Sequence, residues 1–390
     1  MTLPDLSREP LGPGLRRHWG LEPGIHFLNH GSYGATPRAV LEAQQGWRER
    51  VERQPVRFMN QELPGALRAA AAELAEFVGA RGEALAFTEN ATSAVNAVLR
   101  SISLRPGDEV VYSRQAYPGV RNALLQACRD SGARPRDAAV PFPVAGDDQV
   151  VDAFAAAMGP ATRLLLVDHV SAFTAVVQPV ARLVALAKQR GVPVLVDGAH
   201  APGMLALGLD GLDADWYAGN CHKWLLAPKG SGFLWAAPRA RPGLHPAVTS
   251  NRWGEGFPGE FDWTGTRDPS AWLATPDAIG FLRALGPARY REQIRALAIA
   301  AARRIAAAWG VELPAPDAML GAMVTLPLPD ALQGRQATGI HDALWERWRV
   351  EVPVLEIEGR LWVRISGQVY NDLADYDALA NAVLELVAEV

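Results

Sequence analysis

One stretch of this 390-residue chain narrows its fold sharply: Leu164-Leu165-Leu166-Val167, closed by Asp168. Four consecutive large apolar residues show no alternation, so a strand built from them is buried on both faces. Such strands belong to parallel sheets with helices packed on either side. The surrounding pattern agrees. Strand-like runs at 85–88, 109–112, 163–168, 194–197 and 216–219 are interleaved with helical patterns at 91–101, 120–131 and 180–189. Arg105-Pro106-Gly107-Asp108 marks a turn before the second strand, and Arg190-Gly191 stops the helix 180–189. Residues 232–235 read as a hairpin neighbour of 216–219.

The character changes near Pro276. A single long helix is expected over 279–309, with Arg and Glu on one face. It is followed by a strand at 322–326, a helix at 341–348, strands at 353–357 and 361–366, and a final helix at 376–387. This gives an α/β chain with a mainly parallel sheet in a large domain, residues 21–275. Residues 1–20 and 276–390 form a smaller α+β domain. No internal repeat or low-complexity tract interrupts the pattern.

Composition excludes several function classes. A net charge of −4 and a pI near 6.1 give no basic footprint for nucleic acid or an anionic membrane. Two cysteines, Cys128 and Cys221, make neither a disulfide framework nor a zinc cluster and suit a reducing, cytoplasmic setting. Met1 to Pro10 has no apolar leader, and Arg303 and Arg304 interrupt the most apolar long run, 296–309.

Two motifs carry chemistry. Asp197-Gly198-Ala199-His200 ends the apolar run 192–196, and His222-Lys223-Trp224 follows, ahead of Pro228-Lys229-Gly230-Ser231-Gly232. A desolvated lysine is a usable amine, able to form a Schiff base and to act as a base. A carboxylate leaving a strand can hold a ring nitrogen, and ligands of open α/β sheets bind beyond the strands' carboxyl ends. Pyridoxal 5′-phosphate needs both groups. Each residue also has a plainer reading: a surface lysine, an N-capping aspartate, a structural histidine. Glu89-Asn90-Ala91-Thr92-Ser93 joins a strand to a helix, as a phosphate site or as an ordinary cap. Asn220 and His222 precede the lysine on its loop, within reach of the same phosphate. Tyr117 is a ring to stack on a cofactor or a core residue. Thr266, in Trp263-Thr264-Gly265-Thr266-Arg267, sits in a surface turn or lends a hydroxyl to a phosphate. Arg364, inside an apolar strand, needs a partner: a substrate carboxylate or an internal acid.

Taken together, these segments resemble the class V aminotransferase family of pyridoxal-phosphate enzymes of fold type I, which includes cysteine desulfurases. The likeness is greatest to its isopenicillin N epimerase-like branch. It is carried by Phe27-Leu28-Asn29-His30-Gly31-Ser32-Tyr33-Gly34-Ala35-Thr36-Pro37, Glu52-Arg53-Gln54-Pro55-Val56-Arg57-Phe58, Thr88-Glu89-Asn90-Ala91-Thr92, Val196 to Gly203 and Gly219 to Trp224. It runs from about residue 25 to Tyr370-Asn371. The resemblance implies a seven-stranded-type sheet and a homodimer with shared active sites. It implies Lys223 as the Schiff-base lysine, Asp197 as pyridinium partner, His200 at the ring oxygen and Tyr117 as stacking ring. Ala91, Thr92, Asn220 and His222 match phosphate-contacting positions, and Thr266 matches one that reaches the partner's phosphate. Arg364 matches the carboxylate-binding residue, and Asn29 and His30 the substrate side. The reaction implied is proton removal from the Cα of an amino-acid-like substrate, ending in epimerisation, β-elimination as in a C–S lyase, or transamination. A non-catalytic cofactor-binding protein is the reading from another class. Ala172 stands where the family often has a polar residue. No cysteine follows Cys221, which argues against a persulfide-forming desulfurase.

Overall fold

The computed structural model describes residue 6 and residues 8–390. The expectation of no leader at Met1 to Pro10, and part of the assignment of residues 1–20, rest on positions outside these. Seven strands form the main sheet: β1 (Leu85–Thr88), β2 (Glu109–Tyr112), β3 (Arg134–Asp137), β4 (Thr162–Asp168), β5 (Val194–Gly198), β6 (Trp216–Asn220) and β7 (Gly232–Ala236). Their spatial order is β1-β7-β6-β5-β4-β2-β3. All neighbours pair in parallel except those of β7, which runs antiparallel to both β1 and β6. In β4, Leu164 to Val167 are at most 1% exposed, as an unalternating run requires.

Helices cover the sheet. The 120–131 pattern begins two residues earlier, because Pro118 and Gly119 supply the first turn of the helix Pro118–Ser131. The helix Ala91–Ser101, here α1, opens on Asn90, whose side chain accepts from the Ser93 N–H. It buries Ala94, Val95, Val98 and Leu99. Strand β3 escapes sequence reading for a physical reason. Its residues Arg134, Pro135 and Arg136 are exposed, and it pairs with β2 alone. Charge and proline are how an edge strand avoids further pairing, and they erase the apolar signature.

The expected continuous helix 279–309 is two helices, α2 (Thr275–Leu285) and α3 (Pro287–Trp309). Gly286 between them has φ +81°, and Pro287 cannot donate back to the preceding turn. Apolar periodicity passes through the break, which is why the pattern alone misses it. Strands β8 (Met323–Pro327), β9 (Val354–Ile357) and β10 (Arg360–Ser366) form a second, antiparallel sheet in the order β9-β10-β8. The closing helix, Leu373–Ala388, starts on a capping box between Asp372 and Asp375. The fold is therefore the α/β architecture of a mainly parallel seven-stranded sheet with an added α+β layer.

The strand directions matter most. The segments after β1, β2, β4, β5 and β6 all leave the sheet at the same, carboxyl edge. They carry Glu89 to Thr92, Tyr117, Asp168, Asp197 to His200, and Asn220 to Lys223.

Candidate active site

A cavity of about 440 Å³ opens at that carboxyl edge. Its wall includes Ala91, Thr92, Tyr117, Asp197, His200, Asn220, His222, Lys223 and Arg364. Residues as far apart in sequence as Gly31 and Arg364, 333 positions, thus meet in one cleft.

Lys223 lines it beside His200 and Asp197. Burial pushes its ammonium down from 10.5 to about 7, and the Arg364 charge adds to the effect. Its Nζ lies 3.2 Å from His200 Nε2. On the other side of that ring, Trp224 Nε1–H donates to His200 Nδ1 at 3.5 Å. An indole nitrogen only donates, so the ring hydrogen resides on Nε2 and points at the lysine. The amine then accepts, which requires it to be neutral. Burial and the nearby cations hold His200 well below its usual value, consistent with a neutral ring.

Asp197 closes β5 and is 3% exposed. Burial raises its carboxyl, while the Ala199 N–H, donated to Oδ1 at 3.0 Å, and the Lys223 charge oppose the rise. Gly198 is required beside it. A Cβ there would meet the Tyr217 ring at 2.1 Å, and Tyr217 is held by a 2.8 Å hydrogen bond between its hydroxyl and His169 Nδ1.

Asp168 is the site residue that sequence reading missed. It sits in register with Asp197 on the adjacent parallel strand and lines the same cleft. Burial first, then the Asp197 charge, push it well above the carboxylate range. Asp197 has the Ala199 N–H and the lysine charge to offset its burial, so Asp168 is the more strongly raised of the two. Both aspartates end an apolar run, at Val167-Asp168 and Val196-Asp197, but only the strand pairing shows that they are neighbours.

At the start of α1, Asn220 Oδ1 accepts the Ala91 N–H at 2.8 Å, and Asn90 takes that of Ser93. These bonds fix the helix end in the cleft, where the amide dipoles favour an anion. His222 Nδ1–H donates to the Ser231 carbonyl at 2.9 Å, which leaves Nε2 free. Burial lowers that ring to about 4; an anion beside it acts in the opposite sense. Tyr117 is 47% exposed, so it is a cleft ring and not a core residue.

Arg364, on β10, is 5% exposed and carries no ion pair among the described residues. Its guanidinium donates to the Ala172 carbonyl and, at 3.0 Å, to Ser32 Oγ, while Nε has no partner. Burial lowers it to about 10. The internal salt bridge, one of its two sequence readings, is absent.

Three expected positions lie off the wall of this cleft. His30 is fully buried behind the lysine loop. Its Nε2–H donates to the Lys223 carbonyl at 3.1 Å, and its Nδ1 accepts from the Tyr370 hydroxyl at 2.8 Å. Asn29 donates to Glu351 at 2.8 Å and accepts from Ser32. Their neighbours Gly31, Ser32 and Tyr33 face the cleft instead. Thr266 is exposed and outside the cavity of its own chain.

Comparison with known proteins places this geometry. The aminotransferase class-V description matches residues 27–338. The chain belongs to the aminotransferase class-V family. It is 39% identical to isopenicillin N epimerase of Amycolatopsis lactamdurans, over 95% of this chain and 97% of that protein. The putative L-cysteine desulfhydrase 1 of Oryza sativa subsp. japonica is 32% identical, over 94% and 84%. Among solved structures, the cystine C–S lyase C-DES in complex with cysteine persulfide superposes with a TM-score of 0.78 at 23% identity, covering 95% and 98% of the two chains. A cysteine desulfurase from Thermococcus onnurineus NA1 gives 0.82 at 19%, covering 98% and 100%. These structures share the type I fold with this chain. No helix among the described residues is long and apolar enough to cross a membrane.

Proposed function

We propose that the chain is a pyridoxal 5′-phosphate-dependent enzyme that removes the Cα proton of an amino-acid substrate and returns a proton in the manner of an epimerase. The observation that carries this reading is the Lys223 amine, whose ammonium burial pushes down to about 7. It is buried at the carboxyl edge of the sheet, receives the His200 N–H at 3.2 Å and shares the cleft with the buried Asp197. That donor set fits the cofactor: an amine for its aldehyde, a carboxylate for its ring nitrogen, and a helix end for its phosphate.

When bound, the cofactor supplies an electron-withdrawing ring that takes up the electron pair left at Cα. The protein supplies the rest. Lys223 would hold the cofactor's aldehyde, and its amine, lowered to about 7, is the base placed to accept the Cα proton. Asp197, ionised, holds the ring nitrogen in its protonated form. His200, fixed as the Nε2–H tautomer by Trp224, donates toward the ring oxygen. Tyr117 covers the ring face. Thr92, with Ala91, Asn220 and His222, holds the phosphate, and Thr266 completes the phosphate site of the partner subunit in a homodimer. Arg364, lacking an acid of its own, grips the substrate carboxylate. Asn29 and His30 act from behind, by positioning Ser32 and the lysine loop.

The second reading is β-elimination. It is favoured by the cysteine desulfhydrase relative, and the same residues serve it up to the point where the Cα proton leaves. One experiment separates the outcomes. The loaded enzyme is incubated in D₂O with L- and D-amino acids and thioether substrates. Cα deuteration with inverted chirality supports epimerisation. Pyruvate or ammonia indicates a lyase, and keto acid a transaminase. Loaded enzyme that does none of these contradicts the proposal.

A further inference from the structure

The reaction assigned above does not name the substrate's side chain, but the wall around Arg364 does. The Arg364 N–H donates to the Pro353 carbonyl at 3.1 Å. Its guanidinium donates to the carbonyl of Ala172, which precedes Phe173, and to Ser32, which precedes Tyr33. Leu355 follows on β9, paired with Trp362 two residues before the arginine. Pro353, Phe173, Tyr33 and Leu355 all line the cleft. The single anion receptor is thus framed by apolar and aromatic side chains.

Exposure gives an independent pointer. Tyr33 is 75% exposed, and together with Tyr117 it accounts for both tyrosines among the exposed large hydrophobic residues. Both line this cleft. A ring exposed in the cleft offers a ligand an apolar face.

Charge completes the argument. Among the described residues lining the cleft, the lysine and arginine cations are Lys223 and Arg364 alone. The first is committed to the cofactor in the proposed function and the second to the α-carboxylate. Glu89 also faces the cavity, paired with Arg267 outside it, and Asp168 and Asp197 lie below. A second carboxylate on the substrate side chain meets no further lysine or arginine of this chain in the cleft, so it loses its hydration without compensation.

We infer that the substrate is a monocarboxylic α-amino acid whose side chain is uncharged, apolar and larger than that of alanine, an aromatic, branched or thioether group seated on Phe173, Leu355 and Tyr33. This rests on the amino-acid reading of the site proposed above.

The test titrates the cofactor-loaded enzyme with phenylalanine, leucine, methionine, alanine, aspartate and glutamate, and reads the absorbance change of the bound cofactor. Phenylalanine, leucine or methionine is expected to bind at least about tenfold tighter than alanine or either acid, as one or more buried methylenes allow. Phe173→Ala is expected to remove most of that advantage, and Leu355→Lys to raise glutamate affinity by about tenfold by adding the missing cation. Acids that bind as tightly as the apolar series overturn the inference while leaving the function intact. So does a Phe173→Ala enzyme with unchanged preference but normal colour. No response to any amino acid, in protein whose colour depends on Lys223, overturns the inference together with the reading beneath it.

Discussion

Replacing Lys223 by methionine should make the cofactor-free protein more stable, and only in one pH window. The cleft desolvates the amine, and burial together with the Arg364 charge lowers its pKa from 10.5 to about 7. That depression corresponds to about 5 kcal/mol, an upper-end figure for a fully desolvated ammonium. The sign follows from proton linkage. Between pH 7 and 10.5 the unfolded chain binds a proton at this lysine that the folded chain does not, so wild-type stability rises with pH there. Above pH 10.5 the amine is neutral in both states and costs nothing. Below about pH 7 the whole penalty is present. The Lys223→Met protein lacks this dependence. Urea unfolding of both cofactor-free proteins at intervals from pH 6 to 10.5 reads it, because titrating groups remote from Lys223 cancel in the difference. The stability gap should widen by up to about 1.4 kcal/mol per unit of falling pH and then level off near pH 7. A gap that does not vary with pH would mean that Lys223 is charged or solvated in the folded protein, and the neutral-amine argument would fail.

Removing the charge of Arg364 with Arg364→Leu should raise KM by about 10²-fold or more while altering kcat less, since two charge-assisted bonds to a carboxylate are lost; steady-state kinetics on an amino-acid substrate decides this. Asp197→Ala should lower kcat on the order of 10²-fold and weaken cofactor retention on dialysis. Gly198→Ala should destabilise the protein by about 3 kcal/mol or more, because its Cβ would fall 2.1 Å from the Tyr217 ring; thermal unfolding reads this. Trp224→Phe removes the donor that fixes His200, so ¹⁵N shifts of the labelled imidazole should reveal a changed tautomer balance that the wild type lacks.

How much of this was legible in the sequence depended on whether a residue's signal was local. The strands whose residues are buried on both faces, β1, β4, β5 and β6, were placed to within a residue or two at their ends. The exposed edge strand β3 was invisible, because its residues obey the rules of a sheet edge and not of a core. The single helix expected over 279–309 failed at Gly286, where backbone conformation and not hydrophobicity decides. At the site, Asp197, His200 and Lys223 stood out because motif and chemistry coincided. Asp168 did not, because its meaning lies in strand register: only pairing puts its carboxyl beside Asp197. His30 was found by resemblance to the family, yet it faces Tyr370 and the Lys223 carbonyl, 340 and 193 positions away, contacts that no local pattern encodes. In sequence Arg364 points equally to a substrate and to an internal acid, because only packing shows a carbonyl and a hydroxyl in place of the acid.

The central claim is that Lys223 is the amine that holds the cofactor. Protein loaded with pyridoxal 5′-phosphate, reduced with borohydride and digested, should carry the pyridoxyl mass on the peptide containing Lys223, and Lys223→Ala protein treated identically should carry none there. A stable pyridoxyl mass on another lysine such as Lys229, with Lys223 unlabelled, would contradict the account.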